Sequence, residues 1–358
     1  MKRKIIFHNA VLAGAATLIS APLWAQKAMP DACGGDPHLL CGPTNAEDLV
    51  KLDDTWVLSS RIGGPGDTEG MFYLINSANR MWQPVGPDDM ETAADATFSD
   101  CPGKPSSADF RGHGMTLDTS GETPRLYAIN HGGRETVEVI DIALSDGAAP
   151  TLTWAGCIVA PEGSNLNAVA VLPEGGIATT KFTDTRNEKW VEDLLGVNDT
   201  GYVYEWHADA GWSEVEGTTM SGPNGVLVSP EGDAYYVAEW AARRLHRIPR
   251  GEGSSVEPMV IDTGVLTDNL HWAENGEILA TGQWVAETVE YAGCMGSPAP
   301  ACPVPFKVLR IDPESMEMTE VISYDDEDFG SGTTAVEVGD AYWIGTTRFD
   351  RIGTISAE

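Results

Sequence analysis

The sequence predicts an all-β fold, a six-bladed β-propeller, on three observations. β-rich cores recur at residues 71–75, 126–130, 176–180, 234–238, 277–281 and 341–346. They are spaced at roughly 50 residues, close to the ~40–50-residue period of propeller blades. Most are followed by a second β-like run, at 136–142, 201–207, 244–248 and 306–311. Finally, the chain of 358 residues carries 39 Gly and 22 Pro, the punctuation that many short strands need, while helical signals are confined to 189–195 and 239–243. A pair of β-sandwich domains would suit this composition but not the period. No Pro-, Gly- or Ser-rich linker divides the chain, so residues 26–358 read as a single propeller domain.

Residues 1–25 read as a targeting segment. Lys2-Arg3-Lys4 form a basic start, residues 5–21 a mostly apolar run, and Ala25 a small residue before Gln26. The mature chain is therefore expected to be exported, to the periplasm or the medium. No apolar run of spanning length follows, so no membrane span is expected. The six cysteines, all beyond this segment, suit disulfides in an exported protein. Cys33–Cys41 and Cys294–Cys302 are expected as local staples and Cys101–Cys157 as a long-range pair. No Cys/His spacing indicates zinc.

Charge excludes other classes. The chain has 22 basic and 54 acidic residues, a net charge of −32, and removal of Lys2, Arg3 and Lys4 makes it three units more negative. Such a surface repels nucleic acid and anionic membranes. There is no GxSxG elbow, and Ser164, Ser221 and Ser331 lack a partner for nucleophilic work. Gly63-Gly64-Pro65-Gly66 is a turn without the following GK[ST] of a phosphate loop.

The best-defined unit is 222–248, GPNGVLVSPEGDAYYVAEWAARRLHRI, which reads as three strands of an antiparallel meander. Asn224 stands just before its first strand. In a propeller the first strand of every blade starts near one end of the central channel, so polar residues at those starts converge. Taken in order they are Glu47-Asp48, His113, Asn130-His131, Asn165-Leu166-Asn167, Asn224 and Asp268-Asn269. A single asparagine there is ordinarily a turn residue. Glu47, Asn167, Asn224, Asp268 and Asn269 together form a set of carboxylate and amide oxygens suited to a hard cation. Calcium takes roughly six to eight oxygens and tolerates irregular geometry better than magnesium.

Six segments, in order, are similar to the paraoxonase/arylesterase family of propeller lactonases. They are AEDL (46–49), HGMTL (113–117), LYAINH (126–131), NLNAVAVLPEG (165–175), PNGVLVSPEGDAYYVAEWAARRLHRI (223–248) and VLTDNL (265–270). The related gluconolactonase-type propellers share the shape and some ligands, but are not expected to carry both the HG and NH histidines. The resemblance implies a catalytic calcium on Glu47, Asn167, Asn224, Asp268 and Asn269, the set reached from oxygen chemistry, and a catalytic histidine pair, His113 and His131. A second, structural calcium would use Asp48, the main chain near Met115 and an acidic residue after Asn167, where this chain has Ala168. Gln283 stands in place of a third active-site histidine, and Lys181-Phe182 replace a polar, partly acidic group, so both are expected in the pocket wall.

The expected activity is calcium-dependent hydrolysis of lactones and aryl esters, with the ion polarising the carbonyl and the histidines activating water. The expected partner is a small lactone or ester. Two alternatives remain from residues alone: a non-catalytic propeller, stabilised by calcium, that binds a ligand or protein partner, and a sugar lactonase of the gluconolactonase kind.

Overall fold

Most strands pair with the next strand of the chain, so neighbours in sequence become neighbours in a sheet. The computed structural model describes residues 28–357 apart from 34, 64–67, 146–147 and 252, and arranges them as six sheets. The first blade is Ala46–Lys51, Trp56–Arg61, Phe72–Asn76 and Met81–Val85. The second is Gly112–Asp118, Arg125–Asn130, Thr136–Ala143 and Thr151–Val159. A short strand, Glu91–Thr92, adds parallel to its outer edge, which gives this blade five strands against four in each of the others. The third blade is Ser164–Val171, Ile177–Asp184, Tyr202–His207 and Gly211–Glu214. The fourth is Pro223–Val228, Ala234–Glu239, Arg244–Pro249 and Met259–Asp262. The fifth is Leu266–Trp272, Ile278–Gln283, Phe306–Ile311 and Met318–Tyr324. The sixth takes Gly332–Val338, Ala341–Thr346 and Arg351–Ser356 from the end of the chain and its outer strand, Leu39–Cys41, from near the beginning.

The first strand of every blade is innermost and packs on the first strand of the next. Gly332–Val338 meets Ala46–Lys51 and closes the ring. Alternation along each strand explains why the blades stack: successive side chains leave opposite faces, and both faces of a blade are covered. In the fourth blade Val226, Val228, Tyr235 and Val237 pack on Ala170, Ala178 and Val203 of the third. Their neighbours Leu227, Tyr236, Ala238 and Leu245 pack on Leu270, Ile278 and Leu309 of the fifth. The same interleaving fills the other four interfaces. Each fully buried Leu, Val or Ile contributes about 1.5–3 kcal/mol relative to exposure, so the six interfaces supply most of the stabilisation.

All six inner strands share one irregularity. Pairing with the second strand slips by one residue near the start, between Ala46 and Leu49, Gly112 and Met115, Leu166 and Val169, Pro223 and Val226, Thr267 and Leu270, and Gly332 and Thr334. The residues inside these bulges are Glu47-Asp48, His113-Gly114, Asn167-Ala168, Asn224-Gly225, Asp268-Asn269 and Thr333. A bulge re-aims side chains that regular pleating would fix. The polar residues expected just before the strands therefore lie within them.

Among the described residues two α-helices lie outside the blades, Trp190–Leu195 and Thr288–Met295. The first matches the short helical signal at 189–195. The second was not expected. At the other short helical signal, 239–243, Glu239 ends a strand and residues 240–243 form a turn. All six cysteines are paired as expected: Cys33–Cys41, Cys101–Cys157 and Cys294–Cys302. Three disulfides indicate an oxidising compartment. No helix among the described residues is long and apolar enough to cross a membrane. The expected targeting segment, residues 1–25, lies outside the described residues.

Candidate active site

The bulges place their polar residues at one end of the channel, and small residues let neighbouring strands approach there. A Cβ on Gly114 would stand 2.3 Å from the Asn167 carbonyl oxygen, and one on Gly225 would stand 2.6 Å from that of Asp268. Glycine after His113 and after Asn224 is thus required by close backbone approach. Thr180 Oγ1 then accepts from Ala168 N–H at 3.0 Å and donates to the Asn224 carbonyl at 2.6 Å. Thr333 Oγ1 donates to the Glu47 carbonyl at 2.6 Å. Carbonyls released from the ladder by the bulges find partners in this way.

Glu47, Asn167, Asn224, Asp268 and Asn269 are all buried. Asn269 Nδ2 donates to Glu47 Oε1 at 2.7 Å, and the Asn224 side chain hydrogen-bonds the Asp268 carboxylate. Four side-chain oxygens are nevertheless buried without a hydrogen-bond partner: Glu47 Oε2, Asn167 Oδ1, Asn224 Oδ1 and Asn269 Oδ1. Each orphaned oxygen costs about 1–3 kcal/mol unless something fills it. Burial, reinforced by the charges of Asp268 and Asp48, holds the Glu47 carboxyl well above its usual range. Burial also pushes Asp268 up to about 7, against hydrogen bonds from Gln283 and Asn224. No lysine or arginine among the described residues offsets these two carboxyls. Acceptors without donors, beside carboxyls without counter-ions, are the arrangement a hard divalent cation satisfies, and the donor set fits calcium.

The expected histidines meet at the rim of this cluster. His113 Nδ1 and His131 Nε2 are 2.8 Å apart, and His113 Nε2 lies 3.7 Å from Glu47 Oε1. Their side chains are 13% and 20% exposed against 1% for Glu47, so the site opens on the histidine side. Burial, with a smaller contribution from the charge of His131, holds the His113 imidazole well below its ordinary value, and the ring is neutral at pH 7. Asn130 presents His131: its Oδ1 accepts from Arg111 N–H at 2.8 Å and Gly132 N–H at 2.7 Å. Beyond the pair, His131 Nδ1 is 2.8 Å from Glu135 Oε2, and Glu135 Oε1 accepts from Leu166 N–H at 2.5 Å. Sequence reading missed Glu135. Its one signal is a carboxylate four residues after a histidine across a Gly-Gly turn.

The other expected residues have different surroundings. Asp48 Oδ1 accepts from Leu49 N–H at 2.8 Å, His271 Nε2 at 2.8 Å and Thr334 Oγ1 at 2.9 Å, while Oδ2 accepts from Met115 N–H at 2.7 Å. Both oxygens are occupied by donors and Ala168 adds no ligand, so Asp48 does not fit a second, structural cation. It is a strut joining the first blade to the second, fifth and sixth. Gln283 belongs to the site, though not as wall: Nε2 donates to Asp268 Oδ2 at 2.8 Å and Oε1 accepts from Trp240 Nε1 at 3.2 Å. Lys181 is held away by Asp184, Nζ to Oδ2 at 2.9 Å, while Phe182 packs on Trp240 with ring centres 6.0 Å apart. Phe182, Leu194, Trp240, Tyr291 and Val304 form an apolar cluster between the two helices. The Tyr291 hydroxyl is raised first by burial and then by the charges of Asp268 and Glu47, which places this cluster beside the site.

No known family profile matches the sequence, and no curated protein matches it. Solved structures do. The calcium-binding protein regucalcin from Agrobacterium tumefaciens is 12% identical, with a TM-score of 0.53 over 90% of this chain and 94% of its own. A candidate gluconolactonase is 15% identical, with a TM-score of 0.52 over 94% and 96%. A luciferin-regenerating enzyme is 13% identical, with a TM-score of 0.52 over 88% and 91%. At such identities the likeness is one of fold, and this chain shares the propeller architecture of these proteins along nearly its whole length.

Proposed function

We propose that this chain is an exported, calcium-dependent hydrolase of lactones and aryl esters, with residues 26–358 as one catalytic unit and residues 1–25 as its export signal. The observation that carries the reading is that Glu47, Asn167, Asn224 and Asn269 each bury a partnerless oxygen at the bulged inner strands, with Glu47 2.7 Å from Asn269 Nδ2 and 3.7 Å from His113 of the histidine pair. The names of two structural neighbours, a calcium-binding protein and a candidate gluconolactonase, agree in kind.

These four side chains and Asp268 would hold the ion. Bound there, calcium supplies Lewis-acid polarisation of the substrate's carbonyl. The chain does the rest. The neutral His113 ring takes a proton from the attacking water, and His131, 2.8 Å away, shares it. Water adds to the carbonyl carbon, the ester C–O bond breaks, and the proton returns to the leaving oxygen. The cluster of Phe182, Trp240 and Tyr291 offers an apolar seat for the acyl or aryl part.

A panel of lactones, including a sugar lactone, and aryl esters tests the reading. Hydrolysis is expected to be lost with chelator, restored by calcium, and reduced about 10²-fold or more in His113→Gln. Turnover that ignores chelator overturns the metal's role. A calcium-dependent rise in Tm with no turnover on any ester would leave a ligand-binding propeller instead.

A further inference from the structure

We propose that Glu135 is a positioning residue that sets the proton arrangement of both histidines from the far end of a Glu135–His131–His113 relay. This rests on the hydrolase reading for its kinetic consequence alone.

The argument follows from which groups can donate. Glu135 Oε1 is committed to Leu166 N–H at 2.5 Å, and Oε2 stands 2.8 Å from His131 Nδ1. A carboxylate only accepts, so His131 carries its proton on Nδ1 and leaves Nε2 bare. His113 Nδ1, 2.8 Å from that bare nitrogen, must then be the donor. His113 Nε2 is left as a lone pair on the side of Glu47, 3.7 Å away, where an attacking water needs a base. A proton accepted at His113 Nε2 lets the Nδ1 proton move to His131 Nε2, and the Glu135 carboxylate stabilises the charge that results. No bond other than N–H and O–H is exchanged. Glu135 also pins Leu166, next to Asn167, so one side chain aligns the base and the neighbouring oxygen ligand.

Replacement by the isosteric amide separates this role from packing. In Glu135→Gln the Leu166 N–H still requires an acceptor, so the amide oxygen stays there and the NH2 turns to His131 Nδ1. The opposite orientation would set NH2 against N–H, donor on donor. With a donor facing Nδ1, the His131 proton moves to Nε2 and the His113 proton follows to its own Nε2, which removes the base without moving an atom of the fold.

The experiment is 15N NMR of the histidine rings of the calcium-loaded protein, with kinetics of the same samples. In wild type, both rings are expected as Nδ1–H tautomers. In Glu135→Gln both are expected as Nε2–H, with kcat lower by roughly 10²-fold or more, KM within about twofold, and calcium affinity unaltered. Glu135→Asp, which keeps an acceptor, is expected to recover roughly tenfold or more over the amide. Wild-type rings protonated at Nε2, or an active enzyme whose kcat survives Glu135→Gln, overturn the proposal and leave the hydrolase reading standing. Wild type without turnover overturns that reading instead, and the ring signals still decide the relay. Should the amide variant fail to fold, the wild-type spectrum decides alone.

Discussion

At the scale of single residues, the site is a set of groups uncomfortable in one another's company, which the proposed cation would reconcile. Asp268 shows it best. Burial pushes its carboxyl up to about 7, against about 3.9 in an unfolded chain. The folded state therefore keeps a proton that the unfolded state gives up, so this group's contribution is full in acid and is lost as pH rises from about 4 through 7. Thermal melts in chelator are expected to show wild type falling relative to Asp268→Asn across that window. With calcium the order reverses above pH 7, because the variant lacks the charge that binds the ion. Parallel melting curves for the two proteins at every pH would contradict this. Individual residues were also the most legible part of the sequence where the blades repeat: Glu47, Asn167, Asn224, Asp268 and Asn269 recur at equivalent starts. Glu135 sits in a connecting turn of one blade with no counterpart elsewhere. The pair Asp48–His271 is separated by 223 residues, and nothing in a linear pattern announces such a contact.

At the scale of elements, the bulged inner strand is what the alternation of apolar residues could not reveal. A period of two predicts strands and their buried faces, and the interleaved interfaces of the blades agree with it. One extra residue in each inner strand breaks that period, which is why polar residues expected ahead of the strands are found inside them. The helix Thr288–Met295 was missed for a related reason: its apolar residues serve a local cluster around Tyr291 and leave no long stripe. The glycines of the bulges give this scale its test. Gly225→Ala sets a Cβ 2.6 Å from the Asp268 carbonyl and 2.7 Å from Leu270 N, both backbone atoms that cannot swing away. A loss of about 1–3 kcal/mol in denaturant melts is expected, with weaker calcium binding by calorimetry. Gly293→Ala, in the exposed helix with nothing within 4 Å of the new methyl, is the control and is expected to be neutral or slightly stabilising. Equal effects from both would remove the argument from close approach.

At the scale of the molecule, the ring is only as sound as its seam. Leu39–Cys41 pairs antiparallel with Arg351–Ser356, with Leu40 opposite Ile352, and Leu40 is fully buried with Val57, Trp343 and Ile352. Leu40→Ala is expected to cost about 2–5 kcal/mol in a single unfolding transition, as for any core leucine. An unaltered midpoint, with cleavage appearing only near residue 40, would show that the seam frays apart from the rest. The period of the sequence made six blades legible; that the sixth is completed by the start of the chain was not, since three residues, LLC, carry too short a pattern.

That seam has a consequence for how the molecule comes into being. In a chain made from its first residue onward, strand 39–41 is among the earliest to emerge, yet its berth does not exist until 351–356 has been released. The protein must wait, largely unfinished, with one apolar segment unattached and one sheet lacking its rim. Closing so distant a contact is slow. At high local concentration the vacant rim of one copy can receive the early segment of another, so the device that fastens a ring in isolation is also the route by which two rings exchange ends.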